Sequence, residues 1–81
     1  MGRRQGIAKH EVSFEEAALA LGDPQSIDFD DGAQPENLVT LAWSPEGRIL
    51  YIVTTEREPR LRIISARRAT SHERRSYQEG D

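Results

Sequence analysis

Two runs rich in β-branched and aromatic residues, Leu38–Ser44 and Ile49–Thr55, flank the segment Ser44-Pro45-Glu46-Gly47-Arg48. Such side chains fit a pleated, half-buried surface. Proline and glycine stand where a tight reversal needs a fixed φ and a freely adopted one. The pair predicts an antiparallel hairpin, against which the rest of so short a chain must pack. A third run, Arg60–Ala66, alternates in its early residues, with Leu61 and Ile63 on one face and Arg60, Arg62 and Ile64, continued by Ala66, on the other. The link Glu56-Arg57-Glu58-Pro59 is short enough for a second hairpin, and Ser26–Asp30 reads as a short edge strand.

Helices bracket these strands. Ser13-Phe14-Glu15-Glu16 is a capping box that opens a helix over Phe14–Leu21, stopped by Gly22-Asp23-Pro24. Val12 and Ala17 are placed for a hydrophobic staple. Thr70-Ser71-His72-Glu73 opens a last helix running to about Gln78. The chain therefore reads as α+β, a small antiparallel sheet of three to four strands flanked by an N-terminal and a C-terminal helix. Both helices are expected on one face of the sheet, with the arginines of the third run on the other.

With 81 residues this is one domain over residues 1–81, residues 1–6 being expected as a disordered terminus. A domain of this size buries only about 60% of its unfolded surface, and without cysteine neither disulfides nor thiolate zinc sites reinforce it. That thin core points to a partner. No run approaches the roughly 20 apolar residues of a membrane span, and Met1–Gly6 lacks the apolar core of a signal peptide, so a cytoplasmic location is expected.

Charge is segregated. Nine acids and no Lys or Arg occupy residues 11–47, whereas eight arginines and three glutamates follow from Arg48 to Arg75. Clustered guanidinium groups suit planar oxyanions such as phosphate, which they bind through two parallel hydrogen bonds. A solvated face with internal acid–base pairing is the plainer alternative. Asp28-x-Asp30-Asp31-Gly32 fails as a calcium loop, because its glycine comes one position early and its twelfth residue is Val39. No metal site is expected.

Lys9-His10, Val12 to Ala17, Asp23-Pro24, Gly47-Arg48-x-Leu50, Thr55-Glu56-Arg57 and the block Arg62-Ile63-Ile64-Ser65-Ala66-Arg67-x-Ala69-Thr70-x-x-Glu73-Arg74-x-x-Tyr77 follow one another at spacings that resemble the BrnT family of bacterial toxins. The resemblance covers about residues 7–79 and is most specific from Arg62 to Tyr77. It implies a fold similar to RelE-type ribonuclease toxins, RNA cleavage that stops translation, and no cofactor. It also implies a BrnA-like ribbon-helix-helix antitoxin, through which alone the toxin would meet operator DNA. The chain departs from the family pattern in its short N-terminus, in Glu11 for a common glycine, in Asn37 for a usual arginine and in Thr54 for a usual histidine. Two alternatives stay open: a catalytically degenerate antitoxin-binding module, and a small non-enzymatic nucleic-acid-binding regulator.

Metal-independent RNA cleavage needs a base for the 2′-hydroxyl, cations for the charge that grows on phosphorus, and an acid for the leaving 5′-oxygen. Arg62 and Arg67 are the candidate phosphate ligands in catalysis, with Arg57 and Arg68 binding substrate. Arg62 reads equally as a sheet-face arginine paired with an acid, and Arg57 as a solvated turn residue. His10, with a side chain that titrates near neutrality, and Glu56 are the proton-transfer candidates, beside Lys9 as a phosphate contact. Their plainer readings are a packed histidine, an ion-paired glutamate and a surface lysine. Tyr77 is a further proton-transfer candidate or a core residue, and His72 is expected in solvent. Trp43 and Tyr51 read as core residues rather than base-stacking platforms.

Overall fold

The computed structural model describes residues 12–57 and 60–79. Its elements are α1 (Phe14–Ala20), β1 (Ile27–Asp30), β2 (Asn37–Trp43), β3 (Ile49–Arg57), β4 (Arg60–Arg68) and α2 (Ser71–Glu79). The strands form one antiparallel sheet in the order β1-β2-β3-β4. The α+β class, the four strands and the flanking helices agree with the sequence, and β3 and β4 each run two residues further than their apolar patterns. Asp28 and Asp30 lie on one edge strand, and Arg60, Arg62, Arg67 and Arg68 on the other. The charge asymmetry of the sequence thus becomes an asymmetry between the two edges of the sheet.

The β2–β3 turn explains why the proline and glycine are there. Gly47 N–H donates to Ser44 C=O at 3.0 Å and Ser44 N–H to Arg48 C=O at 2.9 Å, while Gly47 takes φ 86°. A β-carbon resists that left-handed conformation, so glycine follows the turn without strain. α1 starts at Ser13, whose Oγ accepts from Glu16 N at 3.0 Å, and Val12 packs beside it. The expected reciprocal half of this box does not form. The Glu16 carboxylate turns instead to Ser44 and Arg48, because a guanidinium is a stronger partner than a backbone amide.

Two expectations about the faces of the sheet are overturned. The helices lie on opposite faces, not one. Ala42, Leu50 and Ile52 pack with Ala17 and Ala20 of α1, with Ile63 and Ala66 joining them. The adjacent residues Leu41 and Ile49 pack with Ala69, with Tyr51 of β3 and with Tyr77 of α2. Neighbouring strand residues point to opposite faces, so α1 and α2 sandwich the sheet. The central strands are apolar on both sides, and each side therefore needs a cover.

The second correction lies in β4. Val53 pairs with Ser65 but Thr54 pairs with Ile63, leaving Ile64 as the extra residue of a β-bulge. Simple alternation puts Ala66 on the face of Arg62; the bulge shifts the phase, so that Ala66 joins Ile63 under α1 while Ile64 is 46% exposed. Trp43 is also no core residue. It is 51% exposed at the end of β2, beyond the reach of β1. Its backbone N–H is satisfied by Asp23 Oδ2 at 2.9 Å instead.

Candidate functional site

Arg67 pairs with Tyr51 across β3–β4 and lies over its ring, the guanidinium carbon 3.8 Å from the ring centroid. From there Nη1 and Nη2 donate to the two carboxylate oxygens of Glu73, both at 2.9 Å, and Nη1 also donates to Arg68 C=O at 3.1 Å. Glu73 belongs to the second capping box, which is complete. Its Oε1 accepts from Thr70 N at 2.8 Å and its own N–H donates to Thr70 Oγ1 at 3.2 Å. The hydrogen bond from Arg67 is the main reason that the Glu73 carboxyl is held below its ordinary range; burial opposes it and the Thr70 amide adds to it. Glu73 likewise raises Arg67. Read from sequence alone, Glu73 is only a capping residue, since nothing in its spacing reveals that the same carboxylate reaches back to the strand.

The bulge decides which arginines share a face. Arg62 and Arg67 are five residues apart, a spacing that in a regular strand puts them on opposite sides. With Ile64 extra, Arg62 pairs with Thr55 and Arg67 with Tyr51, two β3 positions of one face. Asn37 pairs with Thr55 in turn, so Asn37, Thr55 and Arg62 form a cross-strand row on that face. Arg62 is exposed and Arg67 is stacked over its tyrosine. Arg68 pairs with Leu50, whose side chain packs beneath α1, so it belongs to the other face. Thr54 also lies on the α1 side, 1% exposed, with its hydroxyl donating to Leu38 C=O at 3.5 Å. Lys9 and His10 lie outside the described residues, as do the side chains of Glu56, Arg57 and Leu61. His72 is exposed, as expected.

Tyr77 has a structural partner. Its hydroxyl donates to Asp23 Oδ2 at 2.6 Å, the same oxygen that accepts from Trp43 N. Gln25 N occupies Oδ1 at 2.9 Å. Burial pulls the Asp23 carboxyl upward, but the bonds from Tyr77, Trp43 and Gln25 outweigh it and hold the group below its usual value. Burial and then Asp23 push the phenol up to about 12. The pair ties α2 to the end of α1 and to β2. Tyr77→Phe is expected to cost about 1 kcal/mol, read as a melting temperature lower by roughly 4–8 °C, with RNA cleavage retained. Unchanged melting with cleavage lost would instead make the phenol a participant in chemistry.

Among the described residues no helix is long and apolar enough to cross a membrane, and no three His, Cys, Asp or Glu side chains gather as metal ligands.

Residues 3–73 match the protein family described as ribonuclease toxin, BrnT, of type II toxin-antitoxin systems. The chain belongs to the BrnT family. The match takes in α1, all four strands, and Arg62, Arg67 and Glu73. As a BrnT member it is a ribonuclease toxin of a type II toxin-antitoxin pair, with an antitoxin partner and RNA targets. The comparison with curated proteins gave no match.

Proposed function

We propose that this BrnT toxin cleaves RNA without a metal ion, using the face that carries Arg62 and Arg67 to hold the phosphate backbone, and so halts translation in the cytoplasm. The observation that carries this reading is the bulge at Ile64, which brings both arginines to one face. Four regular strand steps, roughly 13 Å, separate them, so they would address different phosphates of one strand. Guanidinium groups fit this task because they bind phosphate oxygens through paired N–H donors and stay charged. In the reaction the 2′-oxygen attacks phosphorus and the P–O5′ bond breaks, leaving a cyclic phosphate and a 5′-hydroxyl. A base takes the 2′ proton and an acid supplies one to the 5′-oxygen. Glu56 and His10 are the groups proposed to move those protons, with Lys9 and Arg57 as further phosphate contacts. The antitoxin is proposed to be a BrnA-like ribbon-helix-helix protein that links the toxin to operator DNA.

Induced expression in bacteria is expected to arrest growth and protein synthesis, with rescue by a co-expressed ribbon-helix-helix antitoxin. The purified protein is expected to cut RNA in excess EDTA, with Arg62→Ala slowing the cut at least about tenfold. Normal growth at high soluble expression, or cleavage abolished by EDTA, would overturn the proposal.

Asn37 favours a second reading, a module that binds but no longer cuts. It occupies the row of Thr55 and Arg62, where the family usually places an arginine. Thr54 carries less weight, because its side chain is buried on the α1 side, away from those arginines. Asn37→Arg separates the readings: toxicity appearing only in that variant identifies the natural chain as the non-cutting form.

A further inference from the structure

We propose that Glu73 is a positioning residue, holding one edge of the Arg67 guanidinium so that the other edge meets an RNA phosphate. The inference rests on the reading of this face as the RNA-binding surface. It begins from the donors of the side chain. A guanidinium has five N–H groups in a fixed plane. Glu73 takes the end-on fork, one proton each from Nη1 and Nη2, and Arg68 C=O takes the other Nη1 proton. The side-on fork, formed by Nε–H and the second Nη2–H, points away from Glu73. It is a second pair of parallel donors with the geometry that oxyanions accept. The Tyr51 ring, its centroid 3.8 Å from the guanidinium carbon, sets the tilt of the guanidinium plane.

Glu73 is well placed to hold rather than merely neutralise. It stands in the first turn of α2, and its carboxylate is anchored by Thr70 N as well as by Arg67. A long arginine side chain loses rotamer freedom when it binds a ligand, and a side chain already fixed loses less. Orientation therefore favours phosphate binding, whereas the negative charge of Glu73 opposes it. The two effects have opposite signs, and that makes the proposal decidable. If charge alone mattered, removing the carboxylate would tighten RNA binding. If positioning dominates, removing it weakens binding.

The experiment measures affinity for a short single-stranded RNA with 2′-O-methyl groups, which binds without being cut, by fluorescence anisotropy at several salt concentrations. Glu73→Gln is expected to bind roughly tenfold more weakly, as for the loss of one charge-assisted contact. The slope of log affinity against log salt should become shallower by about 0.7, one phosphate contact on a single strand. Arg67→Ala should show the same change, and the double variant should bind no more weakly than Arg67→Ala alone. Thr70→Val, which removes a cap bond from the same helix but keeps the carboxylate, should bind normally. Should Glu73→Gln fold poorly, Glu73→Asp keeps the charge but shortens the reach, and a loss of affinity there supports positioning. Binding by Glu73→Gln as tight as the natural chain or tighter overturns the proposal, as does an equal loss in Thr70→Val. A different result, Arg67→Ala binding with unchanged affinity and slope, would remove the underlying reading of the surface itself.

Discussion

Arg48→Ala is expected to lower stability by about 3 kcal/mol, the low end for breaking a buried ion pair from one side. Arg48 donates from Nε to Glu16 Oε2 at 2.9 Å and from Nη2 to Oε1 at 2.7 Å. The Ser44 hydroxyl, itself buried, adds a third bond to Oε2 at 2.7 Å. Glu16 is 8% exposed, so removal of the guanidinium leaves a carboxylate that burial disfavours and that only Ser44 serves. A domain of this size has roughly 4–12 kcal/mol in total, so the loss is a large share of what holds it folded. Urea denaturation of the two proteins measures it. Replacing both partners by apolar residues of similar volume should recover much of the loss, because no charge is then stranded. A loss below about 0.5 kcal/mol would make the pair a surface contact.

The same pair has a pH signature. The bond from Arg48, the largest influence, holds the Glu16 carboxyl below its ordinary value of 4.5, against the upward pull of burial. Between the folded and unfolded values the unfolded chain binds more protons, so stability rises with pH there. The contribution of Glu16 is complete above about 4.5 and is lost as pH falls through the folded value. Glu73 and Asp23 are lowered too and share this sign. In Arg48→Ala only burial and Ser44 act on Glu16, so a proton on the carboxyl no longer costs an ion pair. The stability gap between the two proteins should therefore narrow as pH falls from 7 towards 4.

The local signals were the readable ones. Ser44-Pro45-Glu46-Gly47-Arg48 encodes its own turn, and the apolar runs beside it encode their pairing, since strand propensity and turn chemistry act over a few residues. Ser13 and Thr70 mark their helix starts for the same reason. What stayed hidden depends on contacts distant in sequence. Glu16 satisfies the spacing of a capping box, yet its carboxylate is drawn across 32 positions to Arg48. Alanine-rich α1 does not announce which face of the sheet it will cover. The most consequential omission was Ile64. Polar–apolar alternation holds from Arg60 to Ile63 and breaks at the Ile63-Ile64 pair; such a doublet fits a strand buried on both faces as well as a bulge, so the side on which Arg67 emerges was not legible. The sequence singles out the arginines as candidates, but their common face follows from that one extra residue.

The bulge makes a sharp contrast among three isoleucines. Ile52 is fully buried among Ala17, Ala20, Ala42 and Leu50. Ile52→Ala should cost roughly 2–5 kcal/mol, towards the upper end because its alanine neighbours are too short to fill the void. Ile63 packs half-buried on the same cluster, so its truncation should cost roughly half as much. Ile64 points to solvent, and Ile64→Ala should stay within about 0.5 kcal/mol. Chemical denaturation of the three variants gives the order directly. A regular strand makes a different prediction, with Ile64 on the face opposite Ile63 and Ala66 beside it, away from α1. Deleting Ile64 is the stronger form of the test, because it removes the extra residue itself. In the shortened strand Ile63 and Ala66 stand two positions apart and Arg62 and Arg67 four, so plain alternation keeps the first pair under α1 and the second pair together on the other face. The deletion variant is therefore expected to fold and to keep its RNA affinity. Were the natural strand regular, the same deletion would exchange the faces of every side chain on one side of it. A deletion variant that unfolds or loses RNA affinity would therefore overturn the bulge as the reason that Arg62 and Arg67 share a face.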